Sequence, residues 1–233
     1  MIGTDIWAVV PVKEFHLAKT RLAPALSADQ RHHLSAVMLR DVLTALRATP
    51  GLAGIRVVTR DPGAVRIAVE FGADVVPGPT VAGPTPAVAA AMRGLADEGR
   101  HGMLAIMGDL PLVTPGELAR FLNAHGTSPT VSLAPARDGR GCNMALATPA
   151  DAIDLTFDGR SLAVHGARAG ARRIPVRMID LPGAALDIDD AQDLADFISC
   201  DSRTLSAAYL RSIAGPIGMP PQTSMISQPE AAP

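Results

Sequence analysis

Apolar and polar positions along this chain switch between a strand-like and a helix-like spacing. Ile6–Val12 is a short apolar run and reads as a strand buried on both faces. Ser27-Ala28-Asp29-Gln30 has the form of a capping box. Leu34, Val37, Met38, Val42 and Ala45 follow it at helical spacing, which predicts a helix to about Arg47. Ile55–Thr59 reads as a second strand, and Pro62–Phe71 as a helix with proline in its first turn. Val75 and Val76 mark a short third strand. Pro77–Pro86 holds four prolines and two glycines and predicts a loop, followed by a helix over Ala87–Glu98. The run Leu104-Ala105-Ile106-Met107-Gly108-Asp109 predicts another buried strand, ending at Asp109, with a helix from near Thr114.

This βαβα order implies an α/β fold: a three-layer, Rossmann-like, mostly parallel sheet with helices on both faces. The second half differs. Thr130–Pro135 and Asn143–Thr148 are strand-like and flank the turn-rich Arg137–Gly141, as in a hairpin. Ser161–Ala171 reads as a helix capped by Ser161, Ile174–Ile179 as a strand, and Ala191–Ile198 as a helix capped by Asp190. Residues 1–214 are expected to form one domain. Gly215–Pro233, with five prolines and one charged residue, is expected to be a disordered tail.

Composition narrows the possible functions. The 233 residues are 48% hydrophobic and 19% charged, with a formal net charge of −2, unlike the strongly basic balance of a nucleic-acid binder. Aromatics make up only 3%, which also argues against stacking on single strands. Two cysteines, Cys142 and Cys200, make no disulfide framework and suggest a reducing compartment. No basic-then-apolar leader opens the chain, and no apolar stretch approaches the ~20 residues of a membrane helix. A cytoplasmic protein without membrane contact is expected.

Three segments carry candidate chemistry. Asp109 falls at the carboxyl end of a predicted strand, where open α/β sheets bind ligands. A carboxylate there suits a hard divalent cation gripping a nucleotide phosphate, and it equally suits a turn. Lys13, Lys19 and Arg21 lie in the loop after the first strand, and their charge suits a triphosphate. Neither the P-loop nor the Rossmann glycine fingerprint is present, and a solvated basic loop would look the same. Asp187 and Asp189 share one face of an extended segment and could converge on a metal held by Asp109. The alternative is an acidic turn before a helix.

Taken together, Lys13, Ala18-Lys19-Thr20-Arg21-Leu22, Gly108-Asp109-Leu110-Pro111-Leu112 and Asp187-Ile188-Asp189 resemble the nucleotidyltransferases of glycosyltransferase-A-type fold. Within that group the chain is most similar to the CofC/FbiD guanylyltransferases of deazaflavin coenzyme F-420 biosynthesis, over roughly residues 6 to 199. The resemblance implies transfer of GMP from GTP to a phosphorylated three-carbon acid, with loss of pyrophosphate. A downstream transferase would then take the guanylylated product. It implies Mg²⁺ held by Asp109 and Asp189 with Asp187 assisting. Lys13, Lys19 and Arg21 would neutralise the triphosphate, and Asp109, Lys19 and Arg21 would be the catalytic set. Thr59 and the Pro77–Pro86 loop are placed near the base, although neither argues for guanine.

The acceptor pocket departs from the family pattern. The family often reads Gly-Thr-Asn and Phe-Gly-Pro-Gly-Ser where this chain has Gly141-Cys142-Asn143 and Phe157-Asp158-Gly159-Arg160-Ser161. The family's Thr, first Gly and Ser contact the phosphoacid, which points to Cys142, Asp158 and Ser161, with Asn143 beside them. Ser161 at a helix start suits an anion. Cys142 also suits a small buried thiol, and Asp158 a turn. The changed pocket favours 3-phosphoglycerate over 2-phospholactate or phosphoenolpyruvate. The remaining alternatives are a cytidylyl- or molybdopterin guanylyltransferase, and a non-catalytic nucleotide-sensing module. His165, one turn after Ser161, suits packing or an acceptor contact.

A chain ending at Ala214 is expected to fold and turn over like the full chain, because the tail offers no periodic apolar face. A large fall in melting temperature on that truncation would show that the tail docks.

Overall fold

The computed structural model describes residues 5–81 and 83–214, so the proline-rich segment 215–233 lies outside the described residues. Seven strands, β1 (Ile6–Val12), β2 (Leu52–Thr59), β3 (Asp74–Pro77), β4 (Gly102–Ile106), β5 (Thr130–Pro135), β6 (Cys142–Thr148) and β7 (Val176–Met178), form one sheet. Their order is β3-β2-β1-β4-β6-β5-β7. Strands β1 to β4 run parallel, β6 runs antiparallel to both neighbours, and β7 pairs parallel with β5. The sheet is thus the expected mostly parallel one, and its carboxyl edge gathers the loops after β1, β2 and β4.

Helices cover both faces. Helix α1 (Ala28–Arg47), α2 (Pro62–Glu70) and α4 (Pro115–Ala124) bury Leu39, Val42, Leu43, Ile67, Leu118 and Phe121 against one face. Helix α3 (Pro84–Asp97) and α5 (Ser161–Ala171) bury Val88, Ala91, Leu95 and Ala169 against the other. A third apolar cluster lies at the carboxyl edge. There Leu22 and Leu26, of the loop before α1, meet Leu34 and Met38 of α1 and the side chains of Leu186 and Ile188. Leu194 and Phe197 of α7 (Ala191–Ser199) and Leu210 of α8 (Leu205–Ile213) close it.

The local signals for helix starts hold where a side chain can reach the backbone. Ser27 and Gln30, Thr114 and Glu117, and Asp190 and Asp193 each form a reciprocal capping box. Three expectations need correction. Helix α3 starts at Pro84 inside the predicted loop, because proline is tolerated in a first turn, where its missing N–H has no partner to lose. Ser161 is not the cap of α5; Arg160 holds that position without a side-chain bond, and the Ser161 hydroxyl is buried. Strand β4 ends at Ile106, which leaves Asp109 in the turn beyond it. Helices α6 (Pro182–Ala185) and α8 carry no signal read from the sequence.

His125 is fully buried, its ring nitrogens each 2.8 Å from a hydroxyl, Ser132 Oγ and Thr148 Oγ1. Burial, with minor help from Arg177 and His101, pulls its pKa down to about 4. The unfolded chain therefore takes up a proton below pH 6.5 that the folded chain refuses, so stability falls as pH drops from 6.5 towards 4. His125→Gln removes this share. Its unfolding free energy should fall between pH 6.5 and 4.5 by about 2 kcal/mol less than that of the wild type, measured by denaturant titration.

Candidate active site

Three segments distant in sequence meet at the carboxyl edge of the sheet. After β1 the chain makes one short 3-10 turn (Phe15–Leu17) and, past Lys19, a second (Thr20–Leu22). Lys19 joins them in the left-handed region, with φ of 54°, which a side-chain-bearing residue adopts at some cost. This conformation accompanies a side chain that reaches inward. Lys19 Nζ lies 2.5 Å from Asp109 Oδ2 and 2.9 Å from Asp189 Oδ1. Arg21 Nη2 grips the other oxygen of Asp189 at 2.6 Å.

The electrostatics follow from this crowding. Burial alone would lower the Lys19 pKa, but the charges of Asp109 and Asp189 and the hydrogen bonds to both outweigh it and hold the ammonium above the usual lysine range. Burial would raise Asp189, but Lys19 and Arg21 keep it below its ordinary value. Asp187 makes no direct ion pair among the described residues, and Lys19 only partly offsets what raises it. Burial, then the charges of Asp109 and Asp189, push it up to about 6.

A second set of bonds holds the carboxylate arm. Asn143 Nδ2 donates to Ala184 O at 3.0 Å and to Asp187 Oδ1 at 3.4 Å, so it fixes the backbone before Asp187 and the side chain itself. Asp193 Oδ2 accepts from the backbone N–H of Asp189 and of Asp190, at 3.0 Å each. Arg137 Nη2 donates to the other oxygen of Asp193 at 2.6 Å, and Arg137 also pairs with Asp196. Asp193 and Arg137 thus orient Asp189 from behind. The sequence reading placed Arg137 in a turn, and neither it nor Asp193 stood out as support for a site.

A cleft of about 360 Å³ opens beside Lys19 and Asp109, lined among others by Lys13, Phe15, Thr59, Thr80 and Met107. Lys13 is exposed at this cleft and makes no ion pair among the described residues. Thr59 is buried at the end of β2, and its Oγ1 accepts from the Asp61 backbone N–H at 3.0 Å. Arg60 Nε donates to Gly78 O at 2.6 Å and so ties the β2 edge to the proline-rich loop. That tie had no counterpart in the sequence reading.

The fit to a divalent cation is partial. Asp109 and Asp189 offer hard oxygens around one shared point, now bridged by the Lys19 ammonium, which suits Mg²⁺ held by two carboxylates and substrate phosphates. The expected convergence of three carboxylates is not met. Among the described residues no three His, Cys, Asp or Glu side chains group at metal-binding spacing, and Asp187 turns its Oδ1 towards the Asn143 amide.

The other expected contact residues lie outside the lining of the cleft. Cys142 is buried, its thiol donating to Met144 O at 2.9 Å, and burial pushes the thiol pKa up to about 12. Asp158 is exposed. Its carboxylate accepts from the Arg160 N–H at 3.1 Å and the Thr156 hydroxyl at 3.2 Å, closing the turn before α5. With Arg140 and Arg160 it borders a shallow depression. His165 is fully buried and accepts from the Thr156 N–H at 2.9 Å through Nε2, so it packs rather than facing solvent. No helix among the described residues is long and apolar enough to cross a membrane.

Residues 6–226 match the family model described as "Guanylyl transferase CofC like". The chain belongs to this family. It is 38% identical over 192 residues to the phosphoenolpyruvate guanylyltransferase of Conexibacter woesei, covering 81% of this chain and 85% of that one. It is 35% identical to the protein of the same name from Rubrobacter xylanophilus, covering 82% and 92% of the two chains. A nucleotidyl transferase from Methanothermobacter shares the fold at a TM-score of 0.62 and 21% identity, covering 90% of this chain and all of that one. The CofC-like chain is therefore a nucleotidyltransferase enzyme with the glycosyltransferase-A-type architecture. Its Lys19–Asp109–Asp189 cluster lies at the carboxyl edge of the parallel strands.

Proposed function

We propose that the enzyme transfers GMP from GTP to a phosphorylated three-carbon acid, with phosphoenolpyruvate as the preferred acceptor. An acceptor phosphate oxygen attacks the α-phosphorus, a new P–O bond forms, and the bond to the β-phosphate oxygen breaks to release pyrophosphate. The observation that carries this reading is the cluster of Lys19, Arg21, Asp109 and Asp189 beside a cleft, in a chain of guanylyltransferase family. Such chemistry needs positioning and charge neutralisation more than a proton acceptor.

The residues divide this work. Lys13 is free to meet a phosphate at the cleft, while Lys19 and Arg21 exchange carboxylate partners for phosphate oxygens. Thr59 and the loop after β3 border the space for the base. Asp109 and Asp189 would hold Mg²⁺, with Asp187 behind them. When bound, that ion supplies charge neutralisation at the phosphate oxygens and a fixed template for the triphosphate.

Acceptor choice turns on two side chains. The preference for 3-phosphoglycerate drawn from the sequence needs Cys142 and Asp158 to meet the acid. The Cys142 thiol is buried and bonded to Met144 O, and Asp158 spends its oxygens on its own turn. With those supports weakened, the names of the two relatives favour phosphoenolpyruvate, and 3-phosphoglycerate and 2-phospholactate become the competitors. We place the reaction in coenzyme F-420 biosynthesis, where a downstream transferase takes the guanylylated product. The two free cysteines agree with a cytoplasmic setting.

Asp109→Ala and Asp189→Ala are each expected to lower pyrophosphate release from GTP by several kcal/mol of transition-state stabilisation while leaving the fold intact. Near-normal turnover of either variant at saturating Mg²⁺ contradicts the assigned roles. For the acceptor, a mixture of the three acids is offered with GTP and the product masses are read. A dominant phosphoenolpyruvate product is expected. Dominance of the 3-phosphoglycerate product would restore the assignment drawn from the sequence, and preference for CTP over GTP would overturn the nucleotide.

A further inference from the structure

We infer that Asp61 is a positioning residue that sets the loop carrying Lys13 and Lys19. The inference rests on the reading of this loop as the one that meets the nucleotide. Asp61 is buried, 4% exposed, and it does not line the cleft. Its two carboxylate oxygens serve different elements. Oδ1 accepts from the Ala64 N–H at 2.9 Å and so caps α2. Oδ2 accepts from the Phe15 N–H, also at 2.9 Å and 46 residues away along the chain.

The second bond is the informative one. Phe15 opens the first 3-10 turn after β1, and its N–H has no partner within that turn. The Phe15 ring is buried and stands edge-on to His32 of α1, with centroids 5.4 Å apart. The foot of the loop is therefore pinned twice, by its ring to the core and by its backbone to Asp61. From that foot the chain must turn through left-handed Lys19 to deliver Nζ between Asp109 and Asp189. A loop free to shift by an ångström would lose that placement. A helix cap alone needs one oxygen, and the Oδ2 bond does nothing for α2.

Gly63 supplies an independent handle on the same junction. A Cβ at position 63 would lie 2.9 Å from Asp61 Oδ1 and 3.3 Å from the Phe15 ring. Gly63→Ala therefore crowds the junction, pressing on the Asp61 carboxylate and the Phe15 ring, while the Asp61 residue itself is retained, and it raises the intrinsic helix propensity of α2. Asp61→Ser keeps a hydroxyl able to cap α2 but has no second oxygen for Phe15.

The test compares wild type, Asp61→Ser and Gly63→Ala in the full-length protein. One measurement is amide hydrogen exchange over residues 15–21 against the rest of the chain. The other is pyrophosphate release with GTP and phosphoenolpyruvate varied separately. In both variants exchange should rise about tenfold or more in residues 15–21 alone, with melting temperatures within about 5 °C of wild type. Their kcat should fall about tenfold or more, while KM for phosphoenolpyruvate stays within about twofold. Unchanged loop exchange and unchanged kcat in Asp61→Ser overturn the inference. So does exchange that rises throughout the chain, since Asp61 would then serve overall stability. A wild-type enzyme that releases no pyrophosphate from GTP fails the proposed function instead, and the exchange measurement still decides whether Asp61 holds the loop.

Discussion

The Lys19 ammonium lies between two carboxylates that are 90 and 170 residues further along the chain, and most features of the site follow from that contact. Its side chain is only 6% exposed, and a lone ammonium so placed would be strongly disfavoured. The carboxylates of Asp109 and Asp189 make its burial tolerable, and the ammonium in turn allows two like charges to face one point. Arg21 adds a second cation at the rim. Asp187 makes no ion pair among the described residues, and burial, then the charges of Asp109 and Asp189, push its carboxyl up to about 6. The cluster is thus balanced as it stands, and it contains the charges that a nucleotide phosphate and its cation would each need to meet.

Such a cluster requires rigid supports, and these are apolar. Arg21 is followed by Leu22, and Asp187 and Asp189 flank Ile188. Leu22 and Ile188 are buried in the same third cluster with Phe197 and Leu210. Alternation along an extended segment turns Ile188 into this cluster and puts Asp187 and Asp189 on its other side, where Asp189 meets Lys19 and Asp187 meets the Asn143 amide. Helix α8 belongs to this support. Asp41 of α1 accepts from the Leu205 N–H at 2.8 Å and the Ser206 N–H at 2.9 Å, anchoring the start of α8 to α1. Arg21, Asp187, Asp189 and Asp109 thus each adjoin a buried apolar residue, Leu22, Ile188 or Leu110.

The acceptor side is built differently. Cys142 and Asn143 open β6, the antiparallel strand, and both are buried. Asn143 uses its amide to hold the Ala184 carbonyl and Asp187, which makes it a brace for the carboxylate arm. The Ser161 hydroxyl and His165 Nδ1, one turn apart on α5, are buried without partners among the described residues. The sequence grouped Cys142, Asn143, Asp158 and Ser161 as one contact set. The fold gives them separate jobs: a packed thiol, a brace, a turn and a buried hydroxyl.

The layered α/β architecture, the capping box at Ser27, the helix starts near Thr114 and at Asp190, and the placement of Lys19, Arg21, Asp109 and Asp189 near one another were legible in the sequence. These depend on local periodicity, on side chains that bond within a turn, and on the rule that strand ends gather ligands. What the sequence could not show depends on partners far along the chain. Helix α8 was not read from the sequence although Thr204 caps it, and its place is fixed by Asp41 on α1. Asp61 looks like an ordinary helix cap until Phe15 arrives at its second oxygen. Asp193 looks like a first-turn acid until Arg137 and the Asp189 N–H meet it. Whether a thiol such as Cys142 faces a ligand or a carbonyl is likewise a matter of which way β6 turns it. Residue type and spacing determined which chemistry this chain could hold, and the packing of remote segments decided which atoms were left free to perform it.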